Sequence, residues 1–457
     1  MALNLIVALR YDDDAIGKKS GELLWSSAED MAHFKKLTVG NGNNIVIMGR
    51  KTHQSIKRLL PNRLNYIIGS RFHKKIPGGY YFSNFNEALT DAFSKSPDNI
   101  FVIGGGEIYD YVMKNYENLL SRAWVTEFDI KITEKETDLV YFNRNLFKTL
   151  FYFSKSYQLC ENATVLEYNY KNPDEKNYLN LIEKILYFGS SRQDRTNVGT
   201  ISIFGERLEF DLTRFPLLTT KKMGYKTILK ELLWFLSGST NSKILEQQNV
   251  NIWSGNSSRQ FLDSRGLNRF PEGDVGALYS FQWRHFGAEY VDCNTDYTNK
   301  GFDQIKYIIN LIKTDPNSRR IMMSAWNPSD FDKMSIFPCH VSAQFFVNEG
   351  KLDCQMYQRS ADTMLGVPFN IASYAFLVYM IGHLTNLKPG RLITVFGDTH
   401  IYNNHISGAK EQIKRTPYRF PKLILKRNVT DIDDFKLEDF EIVDYDSEPA
   451  IKLEMAV

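Results

Sequence analysis

The chain has 457 residues, too many for one ordinary hydrophobic core, so two domains are expected. Apolar residues make up 43% and charged residues 24%, the balance of a soluble globular protein. Lys plus Arg at 56 against Asp plus Glu at 53 leaves a formal +3, which argues against nucleic acid as the main ligand. The four cysteines, Cys160, Cys293, Cys339 and Cys354, form no CxxC pair and no zinc spacing, so no metal is expected and a reduced, cytoplasmic setting is. No basic lead-in precedes the apolar run Leu3 to Leu9, and the longest apolar run, Ile371 to Ile381, is too short to span a bilayer.

In the first 170 residues, Leu3 to Leu9, Ile45 to Met48, Asn65 to Ile68 and Ile100 to Ile103 read as strands apolar on both faces. Helical spacing falls between them at Ala28 to Leu37, Asn86 to Phe93 and Glu107 to Met113. This alternation predicts an α/β domain with a mixed, mostly parallel sheet. The fourth strand runs into Gly104-Gly105-Gly106-Glu107-Ile108-Tyr109, where three glycines before a helix start let backbone approach a pyrophosphate. Tyr109 stands where GxGxxG would have its last glycine, and a tight turn is the alternative. Basic and hydroxyl clusters end two further strands, at Gly49-Arg50-Lys51-Thr52 and at Gly69-Ser70-Arg71. With the glycines they suit a phosphorylated dinucleotide, a surface charge patch being the other reading. Asp30 lies one turn before Phe34, on the side bearing Met31 and Phe34, where a carboxylate is costly without a partner; helix capping is its ordinary alternative.

The order Leu5-Ile6-Val7-Ala8-Leu9, Ile16-Gly17, Trp25, Asp30, Phe34, Met48-Gly49-Arg50-Lys51-Thr52, Arg63, Gly104-Gly105-Gly106 and Thr126 resembles dihydrofolate reductase across the whole segment. The resemblance implies that Asp30 holds the pterin ring and supports its protonation, with Thr126, Trp25 and Val7 nearby. Phe34 would stack on the folate and Arg63 would pair with its glutamate carboxylate. NADPH would be held by Arg50, Lys51, Thr52, Ser70 and Arg71, the basic groups reading its 2′-phosphate. Gly49, Gly104, Gly105 and Gly106 would approach it closely, with Ala8, Ile16, Glu107, Ile108 and Tyr109 around them. Leu24 stands where the family usually has Pro, and His53 where it often has Trp.

The polar stretch Lys171 to Asn177 is read as a short linker between domains 1–170 and 178–457, with helical spacing resuming over Tyr178 to Phe188. Its shortness favours fixed packing over free movement. The loop Arg192 to Thr200 is compatible with phosphate but is as readily a plain loop. Glu231 interrupts the apolar set of the helix Lys226 to Leu236 (Ile228, Leu229, Leu232, Leu233, Phe235), so it needs a salt bridge or a task. The aromatics of 251–254 and 278–287 are either core or a stacking wall. Arg319 and Arg320 are read at the start of an apolar strand, where neighbours face opposite ways, so they would serve one pocket only if the strand is bulged or, as one way round, if the site is shared across a dimer. The helix Ile371 to Leu384 is apolar on every side. His400 and Tyr402 share one face of an extended segment. Between Phe337 and Asn370 a thiol, a guanidinium, a hydroxyl, a carboxylate and an amide fall close together. That set could attack and hold a small anion, since a nearby Arg helps a thiol ionise; Cys339 as a small buried hydrophobe is the alternative.

Phe337-Pro338-Cys339-His340, Gln358-Arg359-Ser360, Gly366-Val367-Pro368-Phe369-Asn370 and Asp398-Thr399-His400-Ile401-Tyr402 resemble thymidylate synthase, over essentially all of 178–457. The resemblance implies an α+β domain in which Cys339 adds to C6 of dUMP. Arg195, Arg359 and Ser360, with Arg319 and Arg320 from a partner subunit, would clamp the phosphate. Asn370 would read the uracil edge, with His340, Gln358 and Asp362 beside the nucleotide, and His400 and Tyr402 would bind the ribose hydroxyl. Glu231 would relay protons through water and Tyr279 would assist loss of the C5 proton. Trp253, Asp362, Gly366, Phe369 and Ala456 would hold 5,10-methylenetetrahydrofolate. Ala361, Ser254 and Ala277 depart from the family pattern away from these groups.

Since one family's product is the other's substrate, the whole resembles a bifunctional dihydrofolate reductase–thymidylate synthase. A homodimer through the synthase domain, small-molecule substrates and no membrane or nucleic-acid partner are expected. Two rival readings are an active synthase fused to a degenerate folate-binding domain, from Leu24 and His53, and an RNA-binding regulator.

Overall fold

The computed structural model describes all residues except 1–2, 73–74, 132–137, 195 and 456–457. It divides into two compact units, Met1–Asn172 with Thr416–Arg419, and Pro173–Arg415 with Phe420–Val457.

The strands of the first unit are β1 (Leu3–Arg10), β2 (Ala15–Lys18), β3 (Ile45–Gly49), β4 (Leu64–Ile68), β5 (Tyr80–Phe82), β6 (Ile100–Val102), β7 (Leu120–Phe128), β8 (Leu139–Tyr141), β9 (Phe151–Cys160) and β10 (Ala163–Tyr170). Eight of them form one sheet in the order β5-β4-β3-β6-β1-β7-β10-β9, while β2 and β8 pair separately. Neighbours from β5 to β7 run parallel, and β10 and β9 close the edge antiparallel. β1 is buried at every position but Ala8, which is why its sequence shows no polar alternation. The expected strands and helices are present, the helices at Ala28–Val39, Phe85–Ser94 and Gly106–Asn115. Parallel strands bring the C-terminal ends of β4, β3, β6 and β1 to one edge, where ligands of such sheets bind. The Ser27 hydroxyl caps the Ala28–Val39 helix by accepting from the Asp30 N–H, placing Asp30 in the first turn. Met31 is exposed, so that face of the helix is less apolar than its spacing suggests.

The sheet of the second unit is built from β11 (Ser190–Arg192), β12 (Thr200–Asp211), β13 (Met322–Ser324), β14 (His340–Asn348), β15 (Lys351–Asp362) and β16 (Lys388–Tyr402). Their order is β11-β12-β16-β15-β14-β13. All neighbours are antiparallel except β15 and β16, joined by the crossover helix Gly366–Thr385. That helix is long and apolar enough to cross a membrane, yet it is packed inside the unit, its buried residues lying on all sides.

Two expectations are corrected. The helix after the first unit begins at Pro173, inside the stretch read as linker. Proline pre-sets the helical φ in the first turn, and Asp174 and Glu175 suit the positive helix end there. Glu175 is wholly buried, accepting from the N–H and hydroxyl groups of both Thr219 and Thr220. Arg319 and Arg320 lie in a turn, both exposed, and the strand starts only at Met322. The strand-face argument therefore does not apply to them.

Candidate active sites

In the first unit, Thr126 sits opposite Ala8 in the β1–β7 register. Its side chain hydrogen-bonds to the Asp30 carboxyl, and burial raises the Asp30 pKa, opposed by that bond. Trp25 packs on Phe128 with ring centroids 4.9 Å apart. Arg63 is buried, its guanidinium carbon 5.7 Å from the Phe34 ring centre, Nε donating to the Pro61 carbonyl and Nη1 to the Thr38 hydroxyl. Val7 thus comes from β1, Thr126 from β7 and Asp30 and Phe34 from the helix Ala28–Val39, while Trp25 lies just before that helix and Arg63 just before β4.

Gly49, at the end of β3, donates its N–H to the Gly104 carbonyl at 2.7 Å. Gly104 has φ +120°, open to glycine, and the Gly104–Gly105 peptide is cis. A Cβ on Gly49 would lie 3.2 Å from Ile108, and one on Gly106 would lie 2.8 Å from Val140 and 3.7 Å from Ile16. A Cβ on Gly105 would lie 3.3 Å from the Thr52 hydroxyl, and one on Gly69 3.1 Å from Arg50. Backbone, hydroxyls and the basic run Arg50, Lys51, Ser70 and Arg71 therefore converge at adjacent strand ends, a donor set suited to phosphates. The side chain of Tyr109, grouped with the cofactor residues, is in the core, its hydroxyl donating to the Ile6 carbonyl at 2.5 Å. Glu107 is exposed in the first turn of its helix.

In the second unit, the Cys339 N–H donates to the Tyr279 hydroxyl at 2.6 Å. Arg359 is locked beside the half-buried thiol residue, Nε and Nη2 donating to the Pro338 and Phe337 carbonyls at 2.9 Å each, its own N–H to the Cys339 carbonyl. The Tyr279 ring stacks on His340 at 3.8 Å, and burial pushes the His340 pKa down to about 3, so its ring is neutral. Glu231 is 8% exposed and takes the Trp253 indole N–H at 2.8 Å. Burial pushes its pKa up to about 7, only partly offset by that bond. Trp253 lies edge-on to Tyr279, so one aromatic cluster joins the carboxyl to the cysteine.

Strand pairing supplies the rest. Gln358 lies opposite His340, Ser360 opposite Asp398, and Asp362 opposite His400. The Asp362 carboxylate organises the turn before the following helix, accepting from the Met364 and Leu365 N–H groups. Asn370 and Asp362 both approach Gly366, whose added Cβ would lie 3.9 Å from Asn370 Oδ1 and 3.6 Å from Asp362 Cβ. Phe369 is half-buried on that helix. Arg319 and Arg320 are not drawn into this cluster; they precede β13, the edge strand. Arg195 and Ala456 lie outside the described residues. Four neighbours had no role assigned from sequence. Tyr374 bonds His340 at 3.0 Å, Asp398 bonds His400 at 2.9 Å, Lys221 donates from a buried position to the Met364 carbonyl, and His405 lies 4.0 Å from Asp362. Only Asp398 left a trace in sequence, by its two-residue spacing from His400 on a strand.

A family model for dihydrofolate reductase matches residues 2–162 and one for thymidylate synthase matches 176–457. The two units are a reductase domain and a synthase domain in one chain. The chain is 45% identical to the bifunctional dihydrofolate reductase-thymidylate synthase of Paramecium tetraurelia, over 95% of each chain. It is 41% identical to that of Zea mays, over 99% of this chain and 96% of the other, and 38% to that of Leishmania major, over 100% and 95%. It belongs to the bifunctional dihydrofolate reductase–thymidylate synthase family.

Proposed function

We propose that the synthase domain converts dUMP to dTMP through Cys339, and that the reductase domain regenerates tetrahydrofolate from the dihydrofolate released. The carrying observation is the arrangement around Cys339: a half-buried thiol beside a backbone-locked guanidinium, joined through aromatics to a carboxyl titrating near neutrality. The Cys339 thiolate would add to uracil C6, placing charge on the C5–C4 enolate. 5,10-Methylenetetrahydrofolate supplies the carbon and a hydride. Tyr279, fixed by the Cys339 N–H, would assist removal of the C5 proton, and Glu231 would pass protons at O4 through water. Arg195, Arg359 and Ser360, with a partner's Arg319 and Arg320, would hold the doubly charged phosphate. Asn370 and Gln358 would face the base, His400 and Tyr402 the sugar, and Trp253, Asp362, Gly366 and Phe369 the folate.

In the reductase domain the glycines and basic groups at the ends of β3, β4 and β6 fit NADPH, which supplies a hydride when bound. Asp30 would hold the pterin and direct a proton to its ring, with Thr126 orienting the carboxyl. Leu24 and His53 do not argue for a degenerate reductase. His53 is buried edge-on to Tyr81, and Asp30, Thr126 and the glycine turn are assembled. The four reduced thiols fit a cytoplasmic setting. Supplying dUMP, methylenetetrahydrofolate and NADPH together tests the reading: dTMP and tetrahydrofolate should both accumulate as NADPH is consumed. Accumulation of dihydrofolate with NADPH unspent would leave only a synthase.

A Glu231→Gln variant should lose about 10²–10⁴-fold in dTMP turnover, and the wild-type pH profile should show an ionisation near 7 that the variant lacks. The folded pKa is above the unfolded value of 4.5, so this group favours folding at low pH and loses that contribution as pH rises toward 7. The difference in unfolding free energy between wild type and variant should change by about 3 kcal/mol over that window. Parallel profiles would remove Glu231 from the proton path.

The dimer rests on the outward face of the six-stranded sheet. Met322, Phe346 and Tyr357 are 49%, 60% and 38% exposed there, joined by Gln344 and Gln355 through the strand register. Such an apolar face suits a second copy, with Arg319 and Arg320 at its margin. Phe346→Asp should shift sedimentation from dimer to monomer and abolish dTMP formation while dihydrofolate reduction persists; a monomeric wild type would contradict the proposal.

A further inference from the structure

Two residues apart on β16, Asp398 and His400 share a face. Asp398 Oδ1 lies 2.9 Å from His400 Nδ1, and its Oδ2 takes Arg192 Nη1, also at 2.9 Å. A carboxylate only accepts, so the ring proton of His400 is on Nδ1. The same hydrogen bond is the leading cause that holds the Asp398 carboxyl below its usual range, ahead of Arg192. Arg192, on the exposed side of the pair, occupies the second oxygen and leaves the first to the imidazole. The His400 side chain is 9% exposed, its ring lying edge-on to Tyr402 with centroids 5.3 Å apart. With Nδ1–H committed to Asp398, Nε2 is the nitrogen left to meet a ligand, and in the neutral tautomer that this bond selects it is an acceptor.

We propose that Asp398 is a positioning and specificity residue: it fixes the His400 tautomer so that Nε2 accepts a hydrogen bond from the 3′-hydroxyl of the deoxyribose. This rests on the reading that His400 meets the sugar. It extends that reading by stating which nitrogen does so, in which direction the bond runs and what enforces it. A sugar lacking a 3′ donor leaves the Nε2 lone pair without a partner and is discriminated against. In an Asp398→Asn variant the single remaining oxygen is drawn to Arg192, which can only donate. The amide NH2 then faces Nδ1 and favours the opposite tautomer, with Nε2–H directed at the sugar.

Two measurements test this. In ¹⁵N-histidine-labelled wild type, the His400 resonances, identified by their loss in His400→Gln, should report a proton on Nδ1 and none on Nε2; a ring protonated on Nε2, alone or together with Nδ1, would overturn the proposal without any Asp398 variant. Steady-state kinetics with dUMP and with 2′,3′-dideoxyuridine monophosphate give the second. Asp398→Asn should raise the dUMP KM about tenfold with kcat nearly unchanged, and alter kcat/KM for the dideoxy nucleotide less than about twofold. An equal loss for both nucleotides would show a merely structural role and overturn the proposal. Equal KM for the two nucleotides in wild type would remove the sugar-reading role of His400 itself, and the proposal with it.

Discussion

Cys339→Ser should lower dTMP formation by about four orders of magnitude or more while leaving NADPH-dependent reduction of dihydrofolate unchanged. The substitution is nearly isosteric and the site is only half-buried, so the fold should survive it. The backbone of residue 339 remains tied to Tyr279 and Arg359 through main-chain groups, so the hydroxyl would occupy the place of the thiol. What is lost is nucleophilicity. A hydroxyl lacks an accessible anionic form at neutral pH, and the described residues place no carboxylate–imidazole pair at this position to activate it. His340, the next residue, is neutral but turned into a stack with Tyr279 and bonded to Tyr374, so it is not poised as a base. A serine variant within about tenfold of wild type would exclude covalent catalysis by residue 339.

Asp30→Asn should reduce dihydrofolate turnover by about 10²–10³-fold, with NADPH affinity measured by fluorescence titration unchanged. The variant's rate should rise as pH falls, because without the carboxyl the proton must already be on the pterin when hydride arrives. Burial raises the Asp30 pKa, so its ionised form is costly in the folded state. Its stability contribution is present at low pH and lost as pH rises through the folded pKa. Replacing it with a neutral amide should therefore leave the melting temperature at pH 7 equal to or above that of wild type. A loss of turnover accompanied by a fall in melting temperature would indicate a structural role instead.

The reductase domain was the more legible in its strands. Parallel strands covered on both faces read as near-continuous apolar runs, and β3 and β6 do so throughout, β1 and β4 apart from Asn4, Arg10 and Asn65. β9 and β10 left a weaker signal, because β9 is largely exposed and mixes Lys and Ser with its aromatics. In the synthase domain the chemistry was more legible than the architecture. The thiol, guanidinium and amide groups near Cys339 stand close in sequence, but the sheet that places them pairs β12 with β16, some two hundred residues away. No local pattern encodes such a pairing. The Trp253–Glu231 bond was hidden for the same reason, although Glu231 on an apolar helix face had marked itself as a residue needing a partner. The turn at Arg319 and the early helix start at Pro173 were misread because charge and polarity are shared by loops, helix ends and strand starts.

The helix Gly366–Thr385 carries a consequence for the making of the protein. During synthesis an unburied segment this apolar is a target for chaperones and for membrane-insertion machinery. Its shelter, however, comes from neighbours in sequence: β15 leaves the ribosome just before it and β16 just after, and the two then pair in parallel across it. The most hazardous stretch of the chain can therefore be covered by a strand–helix–strand unit without waiting for the distant strand β12. Substitutions that weaken the β15–β16 pairing should lower the yield of soluble chain in cells before they alter the chemistry of either site.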